Sequence, residues 1–570
     1  MHIVTTRREY KDKTYETHLL QHSYREGGKV KHETLANLSH LPLHIIQSVK
    51  AQLRGAALVP ADEIFTIKSS APHGHVQAVL AAFKRLGLDT LISSTPCRER
   101  DLVLAMVAAR ILCPDSKLAT TRAWHFSTLA AELGVADATE TELYAAMDWF
   151  VERQRRIEKK LAKRHIHEGA LALYDLSSSY VEGDTCPLAA LGYSRDGKRG
   201  TLQVNYGLLT DQRGCPVAIS VYPGNTTDST TVLDQVGKLK GDFALKEIGL
   251  VGDRGMITEV QISEIRGKLD WVTALKTGAL RQLADAGVVQ LGLFDETNLF
   301  AFTHADFPGE RLVACRNPEL GRRRAHKRES MLVATEGELS KVVGMVEKGK
   351  YRGKDDIGVR VGKVVNKYKM AKHFLLDIED DAFSFTRDAT TVALEATLDG
   401  LYVVRTSFSE AKLSDETAVR SYKLLTQVER AFRTIKGLDL LVRPIYHRLE
   451  ERVRSHFFIC MMAYYVEWHM KEAWRELLFC DEDQAAKTDR DPVAPAERSA
   501  AARKKVQSRT LADGTPCHSF RTLLRELATV VRNECRRSQA TEAEPSFTMT
   551  TTPNPKQQRA FELLAAINVT

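Results

Sequence analysis

The sequence predicts an α/β fold: a mainly helical N-terminal region followed by a sheet whose faces are both covered. Three observations carry this. Residues 74–165 read as helices throughout, with amphipathic stretches at 98–112, 117–133 and 141–165. From about residue 168 short apolar runs appear, "ALALYDLSSSY", "TLQVNYGLLTD", "CPVAISVYPG" and "EIGLVGDRG", of the kind found in buried strands. These alternate with helical stretches, "TTVLDQVGKLKGDF" and "TEVQISEIRG", before a further strand, "DWVTALKT".

Taken in order, residues 1–60 hold a hairpin over 10–32, turning at Gly27-Gly28, and a helix from about Pro42 to Arg54. Residues 61–165 form the helical region and 166–277 the first part of the α/β core. Residues 278–400 interrupt the pattern with short strand-like pieces around a charged helical stretch, 328–349, and read as a β-rich insertion. "LYVVRTS" resumes the buried-strand type, so 401–475 form the second part of the core, including a long helix over 447–475. Residues 476–570 read as a polar linker, an amphipathic helical segment at 518–537 and a short terminal helix.

The 570 residues are too many for one ordinary domain. The balance of 81 Lys+Arg against 73 Asp+Glu, +8, suits a polyanionic partner but does not demand one. The nine cysteines are odd in number and none stand in CxxC spacing, which argues against a disulfide framework and a structural zinc site and for a reducing cytosol. The N-terminus lacks the apolar core of a signal peptide, and "FFICMMAYYVEW" is too short to span a bilayer. No membrane role is expected.

Candidate chemistry lies in three carboxylates. Asp175 ends the run "LALYD" and Asp253 ends "IGLVGD"; ligands of open α/β sheets gather beyond the carboxyl ends of strands. In "SYKLLTQVERAFRTIKG", residues Val419, Tyr422, Leu425, Val428, Phe432 and Ile435 form an apolar stripe at helical spacing. Glu429 and Lys436 project inside that stripe, where an unpartnered charge is costly. An aspartate after a strand is by itself more often a turn or cap residue. Asp228, in "PGNTTDS", is a competing carboxylate and reads as a turn former. Two strand-end aspartates with an inward glutamate make an oxygen-only set suited to Mg²⁺ or Mn²⁺. Two such ions suit attack on a phosphodiester.

An Asp on the first strand, an Asp on the fourth and a late Glu on a helix resemble the RNase H-like DDE transposases. The spacing Tyr422-(2)-Leu425-(3)-Glu429-(6)-Lys436 is similar to the Y-(2)-R-(3)-E-(6)-K signature of the IS four group of insertion sequences. "YSRDGKRGTLQVNYGLLTD", "VYPGNTTDSTT", "VGDRGM", "DGLYVVRTS" and "RPIYHRLEERVRSHFFICMMAYYVEW" are also similar to that group, over roughly 165–475. Leu425 replaces the signature arginine.

The resemblance implies an RNase H-like catalytic core. Asp175, Asp253 and Glu429 would be both catalytic and metal-binding, with two Mg²⁺ ions for which Mn²⁺ can substitute. Tyr422, Lys436, Arg433 and Arg254 would contact DNA. It implies metal-dependent cleavage at inverted-repeat ends and strand transfer into target DNA. A homodimer holding both ends and a cytoplasmic, nucleoid-associated protein follow. The helical region 61–165 would read the ends, and basic clusters at 316–328 and 348–372 are candidates for backbone contact. Some relatives hold a flipped base on an insertion tryptophan; 278–400 contains none, so the hairpin route stays open. Alternatives are an RNase H-like nuclease or resolvase without strand transfer, and a non-catalytic, repurposed DNA-binding protein.

Overall fold

A computed structural model describes residues 1–10, 13–56, 64–289, 294, 297–483, 490–495, 497–537 and 545–568. The described chain forms two compact units.

The first unit comprises Met1–Ser70 and Arg532–Thr551. Strands His2–Tyr10, Lys13–Glu26 and Lys29–Asn37 form an antiparallel sheet in chain order, followed by helix Leu43–Leu53. Gly27 and Gly28 make the expected turn, both at positive φ, which a side chain disfavours. The strand over His2–Tyr10 extends the expected hairpin to three strands. A second small sheet orders Phe547–Thr550, Val531–Arg537 and Phe65–Pro72. The helical segment expected over 518–537 is therefore two elements. Helix Phe520–Leu527, opened by a Ser519–Thr522 capping box, gives way to strand Val531–Arg537. The run "VRNECRR" hid that strand because its charges obscure alternation.

The second unit is Ala71–Val531 with Thr552–Thr570. Its centre is a mixed sheet built on β1 (Leu171–Tyr180), β2 (Leu202–Thr210), β3 (Pro216–Pro223), β4 (Gly249–Val251) and β5 (Asp270–Ala274). Strand β2 pairs antiparallel with β1 and β3, whereas β4 runs parallel to β1 on one side and β5 on the other. Beyond β5 come β8 (Leu401–Thr406), β7 (Arg311–Arg316) and β6 (Leu299–Phe302), each antiparallel to its neighbour. All of β4, and all of β1 except Asp175 and Tyr180, is buried, as continuous apolar strands covered on both faces should be.

Helices supply that cover. The N-terminal helices end with α1 (Gln154–His165). After the sheet's last strand come α4 (Asp415–Lys423), α5 (Leu425–Lys436) and α6 (Glu450–Ala473). Helix α5 packs on β1, and α6 packs on β3 and on helices Arg98–Leu112 and Glu140–Val151. Residues Phe457–Val466 of α6 are buried without a break, which explains the apolar run that is too short for a membrane. Among the described residues no helix is long and apolar enough to cross one.

The insertion over 278–400 is not β-rich. Its strands β6 and β7 extend the central sheet, but most of it is helix: α2 (Pro318–Glu347) and α3 (Lys354–Tyr368), with a hairpin of Phe374–Ile378 and Phe383–Arg387. Leu332, Leu339, Ile357, Val361, Phe374 and Phe383 form a separate core there. The start of α2 was readable: Asn317 caps Leu320 N at 3.0 Å and Pro318 occupies the first turn. Part of the basic cluster on α2 is engaged internally, Arg328 with Asp399 and Arg324 with the carbonyls of Leu398 and Leu401. Likewise, residues 490–495 are not a bare linker. Val493 is buried, and its carbonyl accepts from Asn317 Nδ2 at 2.8 Å and Lys423 Nζ at 3.0 Å.

Candidate active site

The register of two parallel strands places the first two carboxylates. Leu171 pairs with Gly249 and Leu173 with Val251. Asp175 and Asp253 each stand two residues further on, on strands that neighbour one another at about 4.8 Å: Asp253 just past the carboxyl end of β4, Asp175 in the middle of β1, which runs on to Tyr180 and does not end at this aspartate as the run "LALYD" suggested. Asp175 remains in β1, opposite Leu208 of β2. Asp253 has left β4 and heads a turn in which its carbonyl accepts from Met256 N and Ile257 N at 2.9 and 3.1 Å.

Glu429 comes from α5. The helical run breaks at Leu424, so the stripe read across 419–435 belongs to two helices. Within α5 the buried residues are Leu425, Val428, Ala431, Phe432 and Ile435. At about 100° per residue Glu429 lies roughly 100° and Lys436 roughly 80° from the centre of that arc. Both therefore sit on the flank of α5 and not inside its apolar stripe, which corrects the sequence projection. Glu429 is exposed and Lys436 half-buried.

The three acids feel one another. Burial pushes the half-buried Asp175 carboxyl up to about 7. The negative charges of Asp253 and Glu429 add to that rise, while the Leu176 N–H, donated to Asp175 Oδ1 at 2.8 Å, and the Arg195 guanidinium oppose it. Tyr422 donates its hydroxyl to Asp253 Oδ1 at 2.8 Å, and burial followed by the Asp253 charge raises the phenol well above its ordinary value. Arg254 and Arg433 are exposed, on the turn after β4 and on α5 respectively.

Two groups escaped sequence reasoning. Arg195 forms an ion pair with Asp228, so Asp228 is more than a turn former: it holds the guanidinium that faces Asp175. Asp196, almost wholly buried, binds Lys436 Nζ at 3.0 Å and pairs also with Arg443. Lys436 thus has a protein partner where a DNA phosphate was expected. Burial lowers its ammonium pKa and Asp196 opposes the fall. Both residues lie in "YSRDGKRG", whose density of charge beside a strand was the available signal.

The donor set fits hard divalent cations. It offers only carboxylate oxygens, and a cation would offset the burial, and the lesser effect of neighbouring negative charge, that together hold Asp175 protonated near neutrality.

Comparison with known proteins gives a consistent outcome. Residues 181–466 match the family described as Transposase DDE domain, which takes in Asp253 and Glu429 and begins just after Asp175. Residues 3–60 match IS1634 family transposase, N-terminal domain. No curated protein matches the chain. Among solved structures, a piggyBac transposase synaptic complex with hairpin DNA aligns over 79% of this chain and 77% of that one, at 9% identity and a TM-score of 0.33. That likeness is too weak to bear on the fold.

Proposed function

The chain belongs to the DDE transposases, and from that premise we propose that Asp175, Asp253 and Glu429 are the carboxylates on which its DNA cleavage and strand transfer depend, in a transposase of the IS1634 type to which residues 3–60 point. The observation that supports this is the shared register of β1 and β4, in which Asp175 and Asp253 stand at equivalent positions of neighbouring strands, within electrostatic reach of Glu429 in the case of Asp175. The strand order β3-β2-β1-β4-β5, antiparallel then parallel, supports reading the centre as an RNase H-like core.

The three carboxylates would hold two Mg²⁺ ions, with Mn²⁺ able to substitute. Such a pair, when bound, supplies the Lewis acidity that attack on a phosphodiester by water or a 3′-hydroxyl requires. The chain's own groups prepare the site. Tyr422 fixes one oxygen of Asp253 and leaves the other free. Arg195, anchored by Asp228, favours the ionised form of Asp175. Arg254 and Arg433, both exposed, would meet phosphates flanking the scissile bond. Lys436 serves first as a tie between α5 and Asp196, and reaches DNA only by leaving that partner. Handling two transposon ends calls for two copies of the chain, so the working form is a homodimer.

The test uses labelled inverted-repeat DNA with Mg²⁺ or Mn²⁺. Wild-type protein cleaves it and joins a pre-cut end to target DNA. Asp175→Ala, Asp253→Ala and Glu429→Ala each bind the end in a mobility-shift assay and cleave nothing. Full cleavage by any one of the three removes that residue from the site, and cleavage without joining makes the protein a nuclease.

A further inference from the structure

A second cluster of ligand-type side chains lies apart from the carboxylates. His165 is the last residue of α1, Cys215 stands in the turn between β2 and β3, and His469 lies near the end of α6. Their ligand atoms all fall within 4.8 Å of one another, and Cys215 Sγ is 3.8 Å from His469 Nε2. Their exposures are 7%, 0% and 5%. Tetrahedral bonds of about 2.3 Å to sulfur and about 2.0 Å to nitrogen set ligand atoms roughly 3.3–3.7 Å apart. The Cys215–His469 separation is about 0.1 Å beyond that range, and the third ligand atom lies within 4.8 Å of both.

The surroundings suit a cation better than their basic character first suggests. Arg213 Nη2 lies 3.4 Å from His165 Nδ1, but Arg213 is paired with buried Asp211, Nε to Oδ2 at 2.9 Å. Asp211 Oδ1 also accepts from Cys215 N at 2.9 Å and so fixes the turn that presents the thiol. Tyr465 closes the cluster. Its hydroxyl is 3.0 Å from His165 Nε2 and its ring meets His469 edge-on at 4.7 Å.

We propose that His165, Cys215 and His469 form a structural site for zinc(II), with the fourth position filled by water or the Tyr465 hydroxyl. A thiolate and two imidazoles select zinc over Mg²⁺, whereas the carboxylate set has the opposite preference, so one chain would keep the two metals apart. Binding exchanges the Cys215 thiol proton for a Zn–S bond and releases that proton to solvent. The ion would clamp α1, the β2–β3 turn and α6 together. The lack of CxxC spacing argued against zinc only for ligands close in sequence; these three come from separate elements.

The full-length chain is stripped with chelator, given zinc chloride and desalted, and its metal content is measured by mass spectrometry. Wild type and Asp175→Ala are expected to retain one zinc per chain, and Cys215→Ser and His469→Gln to lose it. Cobalt(II) added to stripped wild type should give a near-ultraviolet thiolate-to-metal band that Cys215→Ser lacks. Folded wild-type protein, judged by circular dichroism, that retains no zinc and shows no cobalt band overturns the proposal whatever the variants do. So does a cobalt band that persists in Cys215→Ser.

Discussion

Replacing Asp175 with asparagine should make the metal-free protein more stable above neutral pH while abolishing its chemistry. The folded chain holds this carboxyl at about 7 against an ordinary 3.8. Below the lower value the group is protonated in the folded and unfolded chains alike, and it costs nothing. Between the two values the unfolded chain has released its proton and the folded chain has not, so unfolding releases a proton and stability falls as pH rises. Above about 7 the loss is complete. At about 1.4 kcal/mol per pH unit it amounts to about 4 kcal/mol, reduced to roughly 2–4 because Asp175 is partly open to solvent. Asparagine keeps the acceptor that Leu176 N–H uses and carries no charge at any pH. All five tryptophans, Trp124, Trp149, Trp271, Trp468 and Trp474, lie in the unit that contains the site, so urea unfolding followed by their fluorescence reports on it. With chelator present, wild-type stability should decline from about pH 4 to about pH 7, and Asp175→Asn should lack that decline and exceed wild type at about pH 8. Mg²⁺ should then stabilise wild type at that pH and leave the variant unchanged. A variant no more stable than wild type at pH 8, or one with the same pH slope, would refute the account of a buried carboxyl held protonated by the fold.

Tyr422→Phe removes the hydroxyl that holds Asp253; a hydrogen bond to a charged group is worth about 1.5–3 kcal/mol. Single-turnover end cleavage should therefore slow by roughly ten- to a hundredfold with the fold intact, and an unchanged rate would deny Tyr422 a positioning role. Asp196→Ala leaves Lys436 and Arg443 without their shared buried anion and should cost about 3 kcal/mol in urea unfolding. Adding Lys436→Met should restore part of that loss, and a double variant no better than the single one would show that the pairing is not the cause. Glu429→Gln changes an exposed side chain and should alter stability by less than about 0.5 kcal/mol while cleavage is lost; a large drop in stability would show that Glu429 supports the fold.

What could be read in the sequence was whatever is written locally. The strands β1 and β4 announce themselves as apolar runs leading to an aspartate, although β1 continues past Asp175 to Tyr180, and α5 by its period, so the candidate acids could be named from spacing and resemblance. What pairs across long stretches of chain was not legible. The break at Leu424 shifts Glu429 from an apolar stripe to its flank, and one helical projection across 419–435 cannot register it. The strand Val531–Arg537 needs its partners at Phe65–Pro72 and Phe547–Thr550 before its charges make sense. His165, Cys215 and His469 meet only after three elements have packed.

Lys436 shows how far the difference reaches. The signature spacing suits a lysine at a phosphate flanking the scissile bond and leaves its counter-ion to DNA. The structure provides that counter-ion within the protein, as Asp196, which also holds Arg443. One ammonium cannot fully satisfy both anions. If DNA takes Lys436, Arg443 alone must neutralise an aspartate that is almost wholly buried, and α5 loses its tie to the loop before β2. A lysine so placed would couple DNA contact to the seating of the helix that carries Glu429, and the Asp196 variants above measure the strength of that tie in the absence of DNA.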